Sequence, residues 1–305
     1  MVDLRLIFFG TSSAIPTDKR NLSSIAIIRD GELFIFDVGE GMQKAFLKSK
    51  IGINKSTKIF ITHLHGDHCL GLLGLLQTMS LSGRTKPIFI YGPHGIIKFI
   101  NNNIDNLLLK LNYNILVNEI EKGIIIEEEE YIIKTCNSYH SINSKSYLFE
   151  EKERPGIFDP EKALKLRIPK GELWSLLQNG KEIKINGNKI RSEQVVANKR
   201  NGRKIGISGD TRPNKKLIDF FNGSDVLIFD STYGDENTIN AKNNKHSTSR
   251  EAAIIASKAK VKLLILTHFS SRYKNVDILV SQAKEVHKNV IAAYDLMDMK
   301  IAYNK

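Results

Sequence analysis

The chain has 305 residues, 41% of them hydrophobic, and carries a formal charge of +12 with a pI near 9.5. That apolar content is ample for a core, and at this length an α/β chain still folds as one unit. Two cysteines, Cys69 and Cys136, exclude a disulfide framework. With no signal-peptide core and no uninterrupted run of membrane-spanning length, we expect a soluble, cytoplasmic protein. The positive balance suits a polyanionic partner, which charge alone does not identify.

Apolar runs at Leu4–Phe9, Ile25–Ile28, Leu33–Asp37 and Lys58–Thr62 read as strands, with helix-like stretches over Gly41–Lys48 and Leu70–Leu81. The alternation continues with a strand at Ile88–Tyr91 and a helix at His94–Ile100, and Tyr113 to Glu150 is rich in strand pattern. One stretch does not fit. Glu150 to about Lys184 is charged, broken by Pro155, Gly156, Pro160, Pro169, Gly171 and Gly180, and holds the sole tryptophan, Trp174. Its pieces Glu161–Lys165 and Glu172–Leu177 read as short helices without a convincing core face, and an excursion of that length points to a functional arm. Strands then return at Lys204–Ser208, Val226–Asp230 and Lys262–Thr267, with helices at Asn214–Asn222, Thr248–Lys258 and Val276–His287. Two halves of mixed strands flanked by helices predict an α/β fold, two sheets face to face with helices outside.

Directly after the strand at Lys58–Thr62 comes His63-Leu64-His65-Gly66-Asp67-His68, three imidazoles and a carboxylate in six residues. Alternate residues leaving a strand point the same way, and Gly66 lets the chain turn back, so Asp67 and His68 face a second point nearby. Desolvating four such groups together is unfavourable unless something binds them. Imidazole with carboxylate is the donor set of borderline divalent metals such as zinc. More candidates sit where apolar strands deliver polar residues to their C-terminal ends: His140, Asp210, His268 and Asp37. One division gives His63, His65 and His140 to a first metal and Asp67, His68 and His268 to a second, with Asp210 bridging. Asp37 then orients a ligand imidazole, since such rings donate their other N–H to a carboxylate or carbonyl. Taken singly, each strand-end Asp or His reads as an ordinary hydrogen-bonded group; the six-residue cluster is what demands partners.

Two divalent ions roughly 3.5–4 Å apart suit hydrolysis of phosphoryl or acyl groups. Asp67 can hold or accept a proton of the attacking water there. His246, in Lys245-His246-Ser247-Thr248 ahead of a helix that Ser247 or Thr248 caps, reads equally as a surface residue or as a proton donor to a leaving oxygen. His94 and His287 stay outside the set as surface residues, and Cys69 reads as a small buried hydrophobe.

Assembled in this way, the residues resemble a known family. His63–His68 is similar to the HxHxDH signature of the metallo-β-lactamase fold, and His140, Asp210 and His268 follow in that fold's order. More narrowly, the whole chain resembles the ribonuclease Z (tRNase Z) family of tRNA 3′-processing endonucleases. The resemblance runs through Phe8-Phe9-Gly10-Thr11, Pro16, Arg20-Asn21, Phe36-Asp37-Val38-Gly39-Glu40-Gly41 and Ser208-Gly209-Asp210-Thr211, and closes on Ala293, Asp295 and Met297. Its narrow part is His246-Ser247-Thr248 together with Thr267-His268-Phe269-Ser270-Ser271-Arg272-Tyr273; other members often carry Glu and Ala where this chain has the single Ser247.

The resemblance implies a metallo-β-lactamase-like αβ/βα four-layer sandwich over residues 1–305, with a flexible arm inserted at 150–184. It implies two zinc ions per subunit, with manganese, iron or cobalt as substitutes. His63, His65, His140 and Asp210 would hold one ion, and Asp67, His68, Asp210 and His268 the other, with Asp67 as general base and His246 assisting phosphate cleavage. The implied substrate is precursor tRNA, cut after the discriminator base to leave a tRNA 3′-hydroxyl and a 5′-phosphate on the trailer. The implied assembly is a homodimer in which each arm serves the partner's site. Arg20, Asn21, Lys170, Gly171 and Arg272 are the residues the likeness puts against RNA, and Gly171-Glu172 stands where the family's arm has Gly-Pro. A small-molecule phosphodiesterase on the same fold would share the ligands without needing the arm, and a scaffold protein would need neither.

Overall fold

The alternation of strand side chains builds the layers. In Glu32–Phe36, Leu33 and Ile35 enter a core shared with helices, while Phe34 and Phe36 point the other way. Their rings meet Phe149 and Tyr147 of a second sheet at centroid distances of 5.4 and 5.6 Å. Strands buried on both faces explain the near-continuous apolar runs of the sequence.

The computed structural model describes residues 2–303. Its strands are β1 (Leu4–Gly10), β2 (Ser24–Arg29), β3 (Glu32–Phe36), β4 (Ser56–Phe60), β5 (Ile88–Gly92), β6 (Ile115–Glu119), β7 (Gly123–Glu127), β8 (Tyr131–Asn137), β9 (Lys145–Glu151), β10 (Ile183–Ile185), β11 (Asn188–Ile190), β12 (Lys204–Ile207), β13 (Val226–Asp230), β14 (Leu263–Thr267), β15 (Val290–Ala292) and β16 (Asp298–Lys300). One seven-stranded sheet has the order β16-β1-β2-β3-β4-β5-β6 and the other β15-β14-β13-β12-β9-β8-β7. Helices Met42–Lys48, Gly71–Leu81 and Ile96–Asn106 cover the first sheet, their Phe46, Leu75, Met79 and Ile100 buried in one cluster with Ile35, Ile59 and Ile90. Helices Lys215–Phe220, Ser249–Lys258 and Asp277–Lys284 cover the second sheet in the same way. The result is the helix–sheet–sheet–helix sandwich expected from the sequence. Among the described residues no helix is long and apolar enough to cross a membrane.

In the first sheet β16, β1, β2 and β3 pair antiparallel and β3 to β6 parallel, in the second β12 to β15 pair parallel, and the parallel strands β3, β4, β12, β13 and β14 deliver their C-terminal ends to one edge. Asp37 follows β3, Thr62 and His63 follow β4, Asp210 follows β12, Asp230 ends β13 and His268 follows β14. Asp37 and His268 take left-handed backbone there, at φ 59° and 62°.

A second compact unit comprises Glu128–Ile132 and Glu150–Arg203. The excursion expected at 150–184 therefore runs on to Arg203, because β10 and β11 complete its core: Ala163, Ile168, Leu177, Ile183, Ile190 and Val195 pack together with Phe158 and Trp174. The helices Pro160–Lys165 and Glu172–Gln178 thus do own a buried face, small as it is. Asn186-Gly187 joins the two strands with positive φ at both residues, the turn that suits a two-residue hairpin. At the foot of the unit Arg203 makes a bidentate pair with Glu151, both contacts at 2.7 Å and both side chains buried.

Candidate active site

Two carboxylates organise the site. Asp37 accepts from the Thr62 backbone N–H at 2.7 Å and from Thr62 Oγ1 at 2.8 Å, and Thr62 Oγ1 lies 2.9 Å from His63 Nδ1. The same carboxylate stands 2.7 Å from His68 Nδ1. Asp230 repeats the arrangement from the second sheet. It accepts from Thr232 Oγ1 at 2.7 Å, Thr232 Oγ1 lies 2.9 Å from His268 Nδ1, and the other Asp230 oxygen is 2.9 Å from His246 Nδ1. His140 Nδ1 faces the Lys245 carbonyl at 3.0 Å. With the Nδ1 atoms of His63, His68, His140 and His268 committed in this way, their Nε2 atoms are left for the interior of the cluster.

The inward atoms converge in overlapping sets. His63, His65 and His140 form one; Asp67, His68, Asp210 and His268 form the next; and Asp210, Asp230, His246 and His268 form a third, the ligand atoms in each lying within 4.8 Å of one another. His65 differs from the rest by turning Nδ1 inward, 3.0 Å from His63 Nε2 and 3.2 Å from His140 Nε2. His68 and His268 face each other Nε2 to Nε2 at 3.3 Å. Asp210 sits between the sets, 3.3 Å from both His68 and His268 and 3.7 Å from His63. Asp67 is 3.5 Å from both His68 and His268.

These residues fit a metal. A tetrahedral ion with bonds of 2.0–2.1 Å to nitrogen sets its ligands roughly 3.3 Å apart, close to the spacings seen here, and lone pairs that face each other at that distance repel unless a cation separates them. Burial holds His63, His65 and His140 below the usual imidazole pKa, in the neutral form a ligand requires. His68 shifts the opposite way, burial opposing its charge but the Asp210 and Asp37 carboxylates raising its pKa, and so does His246. Burial works against its charge, but the Asp230 and Asp210 carboxylates prevail and lift its pKa to about 9. Its loop is braced as well: Arg212 donates to the His246 carbonyl at 2.6 Å and pairs with Glu251, whose carboxylate also accepts from Thr248 N–H in the capping box of Ser249–Lys258.

The remaining expected residues lie elsewhere. The Arg20 guanidinium donates to the Tyr273 carbonyl at 2.7 Å, and Asn21 gives its backbone N–H to Asp295 and its side-chain amide to the Phe9 carbonyl. Both therefore brace the 16–21 loop, although Arg20 also borders an open groove of about 430 Å³ with Lys19, Ser271 and Lys274. Arg272 is exposed, held to Asn237 Oδ1 at 2.6 Å with its guanidinium 5.0 Å from the Tyr233 ring centroid. Lys170 and Gly171 are exposed in the second unit, the Lys170 ammonium 5.9 Å from the Trp174 ring. His94 is exposed beside Glu119, and His287, expected at the surface, is half-buried with Nε2 lacking a hydrogen-bond partner. Asp230, Thr62, Thr232 and the Lys245 carbonyl were not singled out from the sequence. Only Asp230 left a signal there, as a polar residue closing an apolar strand just as Asp210 does.

The chain is 51% identical to "Ribonuclease Z" of Nitrosopumilus maritimus over 298 residues, 98% of this chain and 100% of that one. The chain belongs to the ribonuclease Z family. It is accordingly a nuclease, a hydrolase of phosphodiester bonds. A further ribonuclease Z relative, from Methanosarcina acetivorans, is 41% identical across 98% of this chain and 99% of its own length. Among solved structures, the short form of human tRNase Z superposes with a TM-score of 0.71 at 28% identity, covering 97% of this chain and 98% of that one. The metallo-β-lactamase fold protein YhfI from Bacillus subtilis gives 0.69 at 16% identity over 98% of this chain and 100% of its own, a likeness of fold. A family model described as "Anti-Pycsar protein Apyc1" matches residues 4–151, just under half of the chain.

Proposed function

We propose that this chain is a zinc-dependent endoribonuclease that removes the 3′ trailer from precursor tRNA. It would cut after the discriminator base and leave a tRNA 3′-hydroxyl and a trailer 5′-phosphate. The observation that carries the reading is the full-length identity of 51% to an archaeal ribonuclease Z. The donor set supports it. In this reading His63, His65, His140 and Asp210 hold one ion and Asp67, His68, Asp210 and His268 the other. Such ions, when bound, supply a positive clamp for a phosphodiester and acidify water.

The chain's own residues do the rest. Asp67, its side chain 12% exposed where the other ligand carboxylate is 3% exposed, takes the proton of the attacking water. His246, protonated at neutral pH and held by Asp230, donates toward the leaving oxygen. The unit at 150–203 serves as a tRNA-gripping arm, its exposed Lys162, Lys165 and Lys170 meeting phosphates without reading sequence. In the same reading the enzyme works in the cytoplasm as a homodimer, each arm serving the partner's site.

An end-labelled precursor tRNA tests the function, with the cut expected at the single phosphate after the discriminator base; cleavage elsewhere, or none, would reject it. Asp67→Ala should abolish cleavage while precursor binding persists. Arg154 and Arg200 exchange backbone hydrogen bonds of 2.8 and 2.9 Å, so residues 155–199 can be excised and the gap bridged by a short link. That variant should raise KM for precursor tRNA by about 10- to 100-fold, the loss of several phosphate contacts, and spare bis(p-nitrophenyl) phosphate. Equal damage to both substrates would make the unit structural.

A further inference from the structure

Tyr139 stands immediately before the proposed ligand His140 and is 57% exposed. An exposed tyrosine on a surface is unremarkable by itself, but the setting of this one is built. Its backbone N–H donates to Thr211 Oγ1 at 3.0 Å, and its carbonyl accepts from the Arg212 N–H at 2.8 Å, so the ring is presented from a fixed main chain. The Lys245 ammonium lies 5.6 Å from the ring centroid and 3.5 Å from the His140 carbonyl. Lys245 in turn gives its own carbonyl to His140 Nδ1 and precedes His246. A flat aromatic face and a cation are thus carried by the same two segments that carry His140 and His246. Ser141 Oγ, 3.5 Å from His65 Nε2, and the exposed Ile142 continue the rim. The other tyrosine near the cluster is different: Tyr233 is 6% exposed and the Arg272 guanidinium lies over its ring.

We propose that Tyr139 and Lys245 form a nucleotide subsite, the ring stacking an unpaired base next to the scissile phosphate and the ammonium meeting that nucleotide's phosphate. The inference rests on the reading of the chain as a tRNA 3′ endonuclease, in which the nucleotides flanking the cut lie beyond the paired stem. Stacking suits that task because every base has a π-face, so one ring serves all tRNAs.

The test is a cross between Tyr139 variants and precursor tRNAs abasic at the nucleotide on one side of the cut or the other. Tyr139→Ala should lower kcat/KM on the intact precursor by about tenfold, and Tyr139→Trp should restore it. On one of the two abasic precursors the wild-type enzyme should itself fall by a similar factor, and Tyr139→Ala should then add no further loss. Full activity of Tyr139→Ala on intact precursor would overturn the subsite, as would the same loss on both abasic precursors. A fall in bound metal in Tyr139→Ala would also overturn it, by making the ring a support for His140. These results require a wild-type enzyme that cuts the intact precursor; if it does not, the proposed function fails first and the subsite falls with it.

Discussion

Each sheet brings to the site one buried aspartate that braces imidazoles, Asp37 and Asp230, and the two do not have the same dependants. Asp37 steadies His63 through Thr62 and His68 directly, both of them proposed metal ligands. Asp230 steadies His268 through Thr232 in the same geometry, but its second partner is His246, which lies outside the two proposed ligand sets. A near-repeat of one device has therefore been put to two uses. On the first sheet it fixes ligands alone; on the second it fixes one ligand and a cationic imidazole. The departure from symmetry falls at His246, the residue proposed to assist the leaving oxygen.

The sharpest way to break the comparison is to remove one dependant from each side. His68→Ala should take cleavage to background and lower the metal content, measured by elemental analysis. His246→Ala should keep its metal and lose about 10²- to 10⁴-fold in kcat, the range for a general acid. Next come the aspartates themselves. Asp37→Asn should weaken metal affinity by about 10- to 100-fold, and excess metal in a chelator-buffered titration should restore cleavage. Asp230→Asn should show a similar metal defect through His268 yet remain slow at saturating metal. Its pH profile carries a sign as well. The Asp230 carboxylate, 2.9 Å from His246 Nδ1, raises the pKa of that acid, so loss of the Asp230 charge moves the alkaline fall in rate to lower pH. The smallest effect belongs to the brace behind His246. Glu251→Gln keeps an acceptor for the Thr248 N–H but weakens the pair with Arg212, and should cost about 1 kcal/mol of stability by urea titration with a several-fold drop in kcat.

What the sequence disclosed follows from local density. Four ligand-type groups in six residues after a strand are visible without any structure, and strand ends are visible as the close of an apolar run. The hydroxyl relays are not, because Thr62 and Thr232 read as ordinary strand-end threonines until their partners are known. A backbone carbonyl such as that of Lys245 has no sequence signature at all. The inward turn of His65 Nδ1, against the Nε2 of the others, is decided by side-chain rotation rather than spacing. The extent of the second unit was legible in part. Its broken, charged beginning stood out, whereas its end was carried by Asn186-Gly187, a hairpin signal that lay just beyond the stretch read as the arm. The final strand, Asp298–Lys300, is three residues long and gains its order from pairing with β1, which no local pattern announces.

Asp37 and His268 adopt left-handed backbone at the very points where β3 and β14 hand over to the site. For a residue with a side chain that conformation costs roughly 1 kcal/mol or more, and here it is adopted at two positions, each directly after a strand. Activity and stability are therefore antagonists at these two residues. Glycine at either would relax the main chain while removing the side chain that needs it bent, so the metal-free protein should tolerate Asp37→Gly and His268→Gly better than the alanine replacements. In the proposed reading the metal-free fold is held short of its own optimum, and bound metal would offset part of the strain of building the site.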